Sequence, residues 1–209
     1  MPSVAIIGAG CSGLAAAHEL RDAGYVVTIF EQSQEVGGRA ASRDRQGFIY
    51  DYGAQYIKSG SSVSVDLITR RFWLADLVDI SKPVWIFNRE GHIQEGDPVQ
   101  NAEPKWNYRS GINALAKCMA QGLDIRLQTR IDYLQQSTTG WKVFDNSRHP
   151  VGDFDRVLIT IPASQAAELI KASQVSNAQQ DEICALLDKA RYNPLISVML
   201  GYRPMPQVR

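Results

Sequence analysis

The chain has 209 residues, of which 44% are hydrophobic, and its 22 Lys and Arg side chains balance 22 Asp and Glu side chains. This composition is typical of a soluble globular protein with one large domain or two small ones. A net charge of zero gives no basic field for nucleic acid or an anionic membrane, and no segment approaches the ~20 apolar residues of a membrane span. We therefore expect neither nucleic acid nor a membrane as a partner.

Cysteine and histidine usage also limits the class of protein. Cys11, Cys118 and Cys184 are widely spaced and form no CxxC pair, which predicts free thiols in a reducing compartment. The three histidines are too scattered to predict a metal site. A strand pattern that begins at Val4 leaves no basic segment or cleavage site for a signal peptide. We expect a cytoplasmic protein.

The first predicted element is an apolar strand at 4–7, which runs into a turn with Gly8, Gly10 and Gly13. In such a turn, the first glycine permits the tight bend and the second lets the backbone approach a pyrophosphate. The third lets the following helix pack closely against the strand.

Cys11 and Ser12 lie between these glycines and open a helical pattern that reaches Leu20. The first N–H groups of a helix have no partner within it and carry partial positive charge, so they are available to phosphates. We therefore count both residues among the candidate phosphate contacts.

A second apolar strand at 26–30 ends on Glu31, 18 residues after Gly13, and Gln32 follows. A carboxylate at this position accepts hydrogen bonds from both hydroxyls of an adenosine ribose and repels a 2′-phosphate. Strand, glycines, helix, strand and carboxylate in this order predict a dinucleotide site. The alternative is a βαβ unit that binds nothing.

The sequence after Glu31 favours FAD over NAD. Gly37, Gly38 and Arg39 have a purpose if the ligand extends past the first ribose, because Arg39 can neutralise a phosphate. Gly53 and Ala54 would let a flat isoalloxazine ring lie close to the main chain. The alternatives are a solvated loop cation at Arg39 and an ordinary turn at 53–54.

Beyond this region the pattern alternates between helices and strands. The predicted elements are a helix at 62–77, a hairpin at 84–93, a polar surface loop at 96–105, a helix at 111–119, strands at 124–128, 141–144 and 156–160, helices at 163–172 and 178–191, and a final apolar strand at 195–200. Four aromatic residues of this part are candidates to wall a flat substrate, although core packing is the favoured interpretation. They are Trp73, Trp85, Phe87 and Trp106.

Residues 31–39 and 51–56 resemble the FAD-dependent amine oxidase superfamily. Within it, the run from Gly53 to Tyr56 and the segment 161–166 resemble the renalase-like group. The resemblance implies that the glycine turn cradles the pyrophosphate, that Glu31 holds the ribose and that Arg39 lies beside the phosphates or the ribityl chain. It further implies that Gly53, Ala54 and Gln55 line the flavin ring, and that Ile131 contacts adenine through its main chain. Gln55 and Tyr56 are the best candidates for polar contact near the ring.

The implied fold class is α/β, a Rossmann-like FAD-binding domain with an inserted, smaller α+β substrate lobe. Residues 1–58 and 106–165 would form the FAD-binding domain, and residues 59–105 and 166–209 would belong to the substrate lobe. This division follows from the resemblance.

The implied function is oxidation of a small molecule, an amine or a reduced dihydropyridine, by hydride transfer to FAD with dioxygen as acceptor. One alternative is a desaturase or a protoporphyrinogen-oxidase-like enzyme with a large apolar substrate. Another is a truncated dinucleotide-binding fragment without turnover. No catalytic acid or base is predicted.

Relatives carry a further glycine- and aspartate-bearing motif near the C-terminus, and none is found after Ala166. We therefore expect the flavin ring to be loosely held. We also expect exposed apolar surface that favours homo-oligomers.

Overall fold

The structure, a computed structural model, describes residues 1–58 and 62–201. Within these residues the strands are β1 Ser3–Ile7, β2 Val26–Phe30, β3 Ser42–Arg45, β4 Phe48–Asp51, β5 Ile57–Lys58, β6 Leu77–Asp79, β7 Trp85–Phe87, β8 Ile93–Glu95, β9 Lys105–Tyr108, β10 Asp124–Arg126, β11 Ile131–Gln136, β12 Trp141–Asp145, β13 Pro150–Phe154 and β14 Arg156–Ile159. The helices are α1 Cys11–Asp22, α2 Ser62–Asp66, α3 Pro98–Ala102, α4 Asn113–Met119, α5 Ala163–Ala172 and α6 Asn177–Leu187, and a π-helical turn at Leu67–Arg71 continues α2.

The chain forms two compact units. The first contains Met1–Gly38 and Met119–Ile196, and the second contains Arg39–Cys118 and the described residues from Ser197 onward. These limits differ from the predicted domain limits, because 39–58 and 106–118 fall in the second unit and 166–196 in the first. Which ligand each unit binds stays a prediction.

A parallel four-stranded sheet with the order β10-β2-β1-β14 lies at the centre of the first unit. The chain enters the sheet through β1, passes through α1 and returns as β2. Strand β2 pairs in parallel with β1, from the pair Ser3–Val26 to the pair Ile7–Phe30. From Val4 to Ile7 the inner strand β1 is apolar and buried, with Ile6 fully buried, as a parallel strand covered on both faces requires. This βαβ unit confirms the predicted α/β class with a Rossmann-like domain.

The core of the first unit joins this sheet to an antiparallel sheet with the order β11-β12-β13 and to α5. Its buried members are Ala5, Ile7, Phe30, Ile131, Leu134, Val143 and Leu169. Leu169 explains why α5 belongs here and not to a separate lobe, since its apolar side packs on the strands that carry the glycine turn.

The second unit is built from small antiparallel sheets, β3-β4, β5-β9-β6 and β7-β8, with α2, α3 and α4. The two-residue turn between β3 and β4 has positive φ at both Gln46 and Gly47, which is the turn that matches strand twist in a tight hairpin.

Several predicted elements need correction. The predicted strand at 195–200 is irregular and exposed, with Ile196 89% accessible, since among the described residues no strand edge pairs with it. The predicted loop at 96–105 contains α3, which Pro98 opens as expected for the first helical position. The predicted helix at 62–77 changes to the π-helical turn at Leu67 and ends before Leu77, which begins β6.

The core interpretation of the aromatic residues is wrong for three of the four. Trp73, Trp85 and Phe87 are 59%, 62% and 81% exposed, and only Trp106 is half-buried. Among the described helices, none has the length and apolar character needed to cross a membrane.

Candidate dinucleotide-binding site

Gly8 makes the turn that leaves β1. Its φ is +105°, and a Cβ there would lie 2.9 Å from Cγ2 of Ile161. Its amide donates to the carbonyl oxygen of Phe30 at 2.8 Å, which fixes the turn against the end of β2. Glycine is required at this position by both conformation and space.

Gly10 and Gly13 have opposite surroundings. A Cβ on Gly13 would lie 2.1 Å from the carbonyl oxygen of Gly8, whereas a Cβ on Gly10 would meet nothing within 4 Å. Gly13 therefore serves the close packing of α1 on the turn. The open space at Gly10 fits a pyrophosphate.

The N-terminus of α1 begins beside this open space. Gly10 is the N-cap residue, no side chain caps the first N–H groups, and the first turn carries no acidic residue. Ser12 is exposed and Cys11 is half-buried. Burial raises the pKa of the Cys11 thiol, so Cys11 is a neutral packing group and not a thiolate nucleophile.

Thr160, which follows the neighbouring strand β14, stabilises the turn by hydrogen bonds from its side chain. Its hydroxyl lies 3.0 Å from the carbonyl oxygens of both Ile7 and Gly8. The carboxyl ends of parallel strands meet at one edge of a sheet, so a residue 152 positions away reaches the turn.

Glu31 is 6% exposed and its carboxylate is tied to the turn. Oε2 accepts from the amide of Ala9 at 2.8 Å, and Oε1 accepts from the amide of Ser33 at 2.9 Å. Ionised carboxylate oxygens have about four acceptor positions in total, so two remain for hydroxyl groups of a ribose. The two backbone bonds hold the carboxylate in place for that contact.

Glu31 lines a cavity of about 610 Å³ that lies within the first unit. This volume is in the range of small-molecule sites. The lining residues are Ile7, Gly8, Phe30, Glu31, Gln32, Thr129, Arg130, Ile131, Asp132, Arg148, Ile161, Gln165, Glu168, Leu169 and Ala172. The structure thus brings together four predicted site residues, and these are Gly8, Glu31, Gln32 and Ile131.

Ile131 reaches this cavity because its segment runs beside the end of β2. The amide of Thr129 donates to the Glu31 carbonyl oxygen at 2.8 Å, and the amide of Gln128 donates to that of Ser33 at 3.0 Å. The Ile131 side chain is buried in the core, so main-chain atoms are what this residue offers to a ligand.

The predicted Gly37–Gly38 pair packs against the glycine turn. The Gly37 amide donates to the Ala9 carbonyl oxygen at 2.9 Å. Gly38 has a φ of +56°, and a Cβ there would lie 3.4 Å from Cα of Gly10. Both glycines therefore lie at the predicted pyrophosphate position.

The remaining predicted residues belong to the second unit. The Ala54 amide donates to the Arg39 carbonyl oxygen at 2.8 Å, and a Cβ on Gly53 would lie 2.0 Å from the same oxygen. This contact accounts for glycine at position 53 without a cofactor. The side chains of Arg39, Ala54 and Gln55 are exposed and Tyr56 is half-buried, and their flavin contacts stay predictions.

Asp51 and Asn107 hold the loop that carries these residues. Asp51 Oδ1 accepts from Ser42 Oγ at 2.6 Å and from the Ile112 amide at 2.9 Å. Asp51 Oδ2 accepts from Asn107 Nδ2 at 2.8 Å, and the same Nδ2 donates to the Gln55 carbonyl oxygen at 3.0 Å. The main chain at Gln55 is therefore fixed by side chains from β4 and β9.

Sequence patterns missed several residues that line the cavity or support the turn. Thr160, Asp132 and Arg148 follow or interrupt strands, and Gln165 and Glu168 lie on the α5 face toward the cavity. No short sequence pattern reveals these residues. Thr160 is found only when the strand order of the parallel sheet is known. Asp132 and Arg148 lie on or between antiparallel strands, and the other two lie on a helix.

The residues present fit the ADP half of FAD. Gly10 leaves space above the turn, the N-terminus of α1 offers uncapped N–H groups, and the Glu31 carboxylate lines the cavity. In the described residues no group of three or more His, Cys, Asp or Glu side chains is placed to hold a metal ion.

Solved structures share the fold. Wild-type putrescine oxidase with bound putrescine is similar with a TM-score of 0.66 at 15% identity, over 83% of this chain and 60% of the other. A fatty acid isomerase from P. acnes that produces CLA is similar with a TM-score of 0.68 at 15% identity, over 86% and 63% of the two chains. This chain thus spans about three fifths of the proteins it resembles.

Curated relatives match a shorter stretch. A 4,4'-diapophytoene desaturase of Staphylococcus haemolyticus is 48% identical over 50 residues, which is 24% of this chain and 10% of the relative. Protoporphyrinogen oxidase 2 of Arabidopsis thaliana is 51% identical over 51 residues, with the same shares. This chain therefore matches a tenth of each of these relatives.

Family models match most of the chain. Residues 6–70 match the NAD(P)-binding Rossmann-like domain, which describes the ADP-binding architecture that NAD and FAD proteins share. Residues 89–207 match the flavin containing amine oxidoreductase family, and the dinucleotide form of a flavin is FAD, the cofactor that fits the site. Since this second match covers more than half of the chain, the protein belongs to the flavin containing amine oxidoreductase family.

Proposed function

We propose that this chain is a FAD-dependent oxidoreductase that oxidises an amine or a reduced dihydropyridine by hydride transfer to the flavin, with dioxygen as acceptor. The observation that carries the proposal is the cavity in which the Glu31 carboxylate lies beside Gly8 at the end of β1. Bound flavin supplies the hydride acceptor. Family membership supports the reaction class.

The protein residues supply binding and orientation. The N–H groups at Cys11 and Ser12 face the phosphates, and the open space at Gly10 admits them. The Glu31 carboxylate accepts from the ribose hydroxyls and fixes the register of the nucleotide. In this proposal the exposed residues Ala54 and Gln55 contact the ring, and the Asp51–Asn107 pair keeps their main chain in place.

Sequence resemblance supports a substrate of the renalase-like group, a small amine or dihydropyridine. The run from Gly53 to Tyr56 and the segment 161–166 resemble that group. This assignment is the finer part of the proposal.

An apolar substrate is the second candidate. The curated relatives include a desaturase and a protoporphyrinogen oxidase. In the second unit Trp85, Phe87 and Ile93 of the β7–β8 hairpin are 62%, 81% and 72% exposed. Apolar surface of this kind on a soluble protein marks a binding face, and a large apolar substrate suits it better than a polar one.

The test has two steps. The purified chain is first examined by visible absorption and, after heat denaturation, by chromatography of the released nucleotide. FAD is expected, and NAD(H) without flavin would overturn the proposal. The flavin is then titrated without oxygen against putrescine, NADPH and protoporphyrinogen.

Bleaching by putrescine or NADPH is the expected result, and bleaching by protoporphyrinogen alone would select the second candidate. Bound FAD that none of the three reduces would assign the chain to the non-catalytic alternative. Restored oxygen should return the colour, which tests dioxygen as the acceptor.

A further inference from the structure

A tyrosine hydroxyl from a distant segment caps the first turn of α5. Pro162 is the N-cap residue of this helix, and no side chain at that position caps the turn. The Ala163 amide, the first of the helix, instead donates to the Tyr192 hydroxyl oxygen at 2.8 Å. Because the first N–H groups of a helix have no acceptor within it, this contact satisfies a donor that the local sequence leaves without one.

The packing of α5 against α6 brings Tyr192 to this position. Ala167 and Ile170 of α5 form a buried cluster with Cys184 of α6. The two helices follow each other after a short loop, so they form an antiparallel helical hairpin. The chain that leaves the end of α6 therefore starts near the beginning of α5.

Residues 191–196, which we call the strap, are weakly attached to the first unit. They have no regular secondary structure and all are exposed, with Leu195 83% and Ile196 89% accessible. Among the described residues, the bond from Ala163 is the only hydrogen bond that joins residues 192–196 to another element. A segment with so few buried contacts opens locally at a low cost in free energy.

The strap is attached beside the cavity of the first unit. Ile161 and Gln165, which lie two residues to either side of Ala163, line this cavity. Four residues on one face of α5 form a wall of it, and these are Gln165, Glu168, Leu169 and Ala172. A ligand in the cavity therefore contacts the helix whose first amide the strap caps.

Ligand binding and strap docking thus favour the same arrangement of α5. A nucleotide that binds against this wall needs the start of α5 in place, and the docked strap stabilises the start of α5 through the Tyr192 hydroxyl. Two events that favour one arrangement strengthen each other by reciprocal linkage. Bound nucleotide should therefore keep the strap docked, and the docked strap should raise nucleotide affinity.

We infer that the strap closes on the nucleotide site when the cavity is occupied, and that Tyr192 is a positioning residue that acts through α5. The inference rests on the proposed function, because it requires a nucleotide to occupy the cavity. It gives a reason for the single hydrogen bond that attaches an otherwise exposed segment next to the cavity wall.

Limited proteolysis of the full chain by trypsin, with and without ADP, tests the inference. Trypsin cleaves after Lys and Arg, and Arg191 is the first residue of the strap. Saturating ADP should slow cleavage after Arg191 several-fold. Cleavage after Arg89, which is exposed in a turn of the second unit, should keep its rate and serves as the internal reference in mass spectrometry.

Tyr192→Phe removes the acceptor and keeps the ring. Without ADP, cleavage after Arg191 should become about two- to tenfold faster, the range for one neutral hydrogen bond, because proteolysis follows the population of the open form. ADP should slow this cleavage less than in the wild type, and equilibrium titration should show a several-fold weaker affinity for ADP. Tyr25→Phe, just before β2 and so at the other end of the parallel sheet, is the matched control and should behave as the wild type.

Binding of ADP that leaves cleavage after Arg191 unchanged in the wild type would overturn the inference. A Tyr192→Phe variant that is cleaved faster but binds ADP with wild-type affinity would also overturn it, since Tyr192 would then act on stability alone. A wild type that does not bind ADP would instead overturn the nucleotide site itself and the proposed function with it.

Discussion

Gly10 and Gly13 lie in one turn, yet substitution should affect binding at the first and folding at the second. Gly10 has φ −72° and ψ 172°, which any residue adopts, and open space at its Cβ position. Gly10→Ala should keep or slightly raise the melting temperature, and Gly10→Val should abolish FAD binding because the methyl groups occupy the phosphate position.

Gly13→Ala should behave in the opposite way, since its Cβ would overlap the Gly8 carbonyl oxygen. Overpacking of this kind costs about 1–3 kcal/mol of the free energy of unfolding. Thermal unfolding and FAD titration of both variants measure the two effects. Retention of FAD by Gly10→Val would show that the turn is structural only.

Glu31 should contribute most to affinity among the ribose contacts. Glu31→Ala removes a charged acceptor, and hydrogen bonds to charged groups are worth roughly 1.5–3 kcal/mol, so FAD affinity should fall about ten- to a hundredfold. Glu31→Gln should lose less because it keeps one carbonyl acceptor. If fluorescence titration gives Glu31→Ala the wild-type affinity, Glu31 does not belong to the site.

At the scale of elements, the hydrogen bonds between β4 and β9 predict that one substitution lowers the affinity for FAD without changing the affinity for ADP. In the wild type, Asp51 Oδ2 and the Gln55 carbonyl oxygen both accept from Asn107 Nδ2. Asn107→Asp replaces this donor with a carboxylate oxygen, which cannot donate to either acceptor. FAD affinity should fall several-fold while ADP affinity stays unchanged, because ADP lacks the ring that the 53–55 loop is predicted to contact.

The double variant Asp51→Asn with Asn107→Asp is the control for folding. It restores a donor and an acceptor between positions 51 and 107 but leaves the Gln55 carbonyl oxygen without its donor. The melting temperature should therefore recover toward wild type while FAD affinity stays low. Recovery of both quantities would mean that Asp51 and Asn107 act on stability alone.

The start of β1 depends on Asp155, which lies between β13 and β14. Asp155 Oδ2 accepts from the Ser3 amide at 2.6 Å and from Ser3 Oγ at 2.9 Å. The hydrogen bond from the Ser3 amide contributes most to lowering the pKa of Asp155 below its ordinary 3.8. A lowered pKa in the folded state gives stability that is complete above the unfolded pKa and is lost as pH falls through the folded pKa.

The difference in melting temperature between the wild type and Asp155→Asn should therefore shrink as the pH is lowered below 3.8. Thermal unfolding at neutral and acidic pH measures it. A difference that stays constant with pH would mean that the carboxylate charge adds nothing to this contact.

For the whole molecule, exposed apolar surface predicts association. Trp85 and Phe87 are exposed on a two-stranded hairpin that, in the part of the chain that the structure describes, pairs with no third strand. We expect concentration-dependent association in sedimentation experiments, and replacement of both residues by serine should weaken it. Val63→Ser, at a residue that is also exposed, is the matched control, and equal effects of the two changes would exclude the hairpin as the contact.

Local pattern predicted some elements well and others not at all. The pattern predicts the helix at 163–172 with its observed limits because its apolar residues repeat at helical spacing and Pro162 precedes it. It does not predict the β3–β4 hairpin, because β3 has the sequence Ser-Arg-Asp-Arg and no apolar alternation. Residues 195–200 have strand character but pair with no strand of the part of the chain that the structure describes, and pairing is a property of the partner as much as of the segment.

The sequence by itself determined the dinucleotide architecture. The glycines that form the turn, leave space for the phosphates and allow close packing of α1, and the carboxylate after β2, are local features within 31 residues of the N-terminus. The tertiary structure decided which distant residues join them. Thr160 reaches Gly8 through the parallel strand order, and Asp132 reaches the cavity through a bulge. Neither contact has a sequence signal, because strand order and register arise from long-range packing that no short pattern encodes.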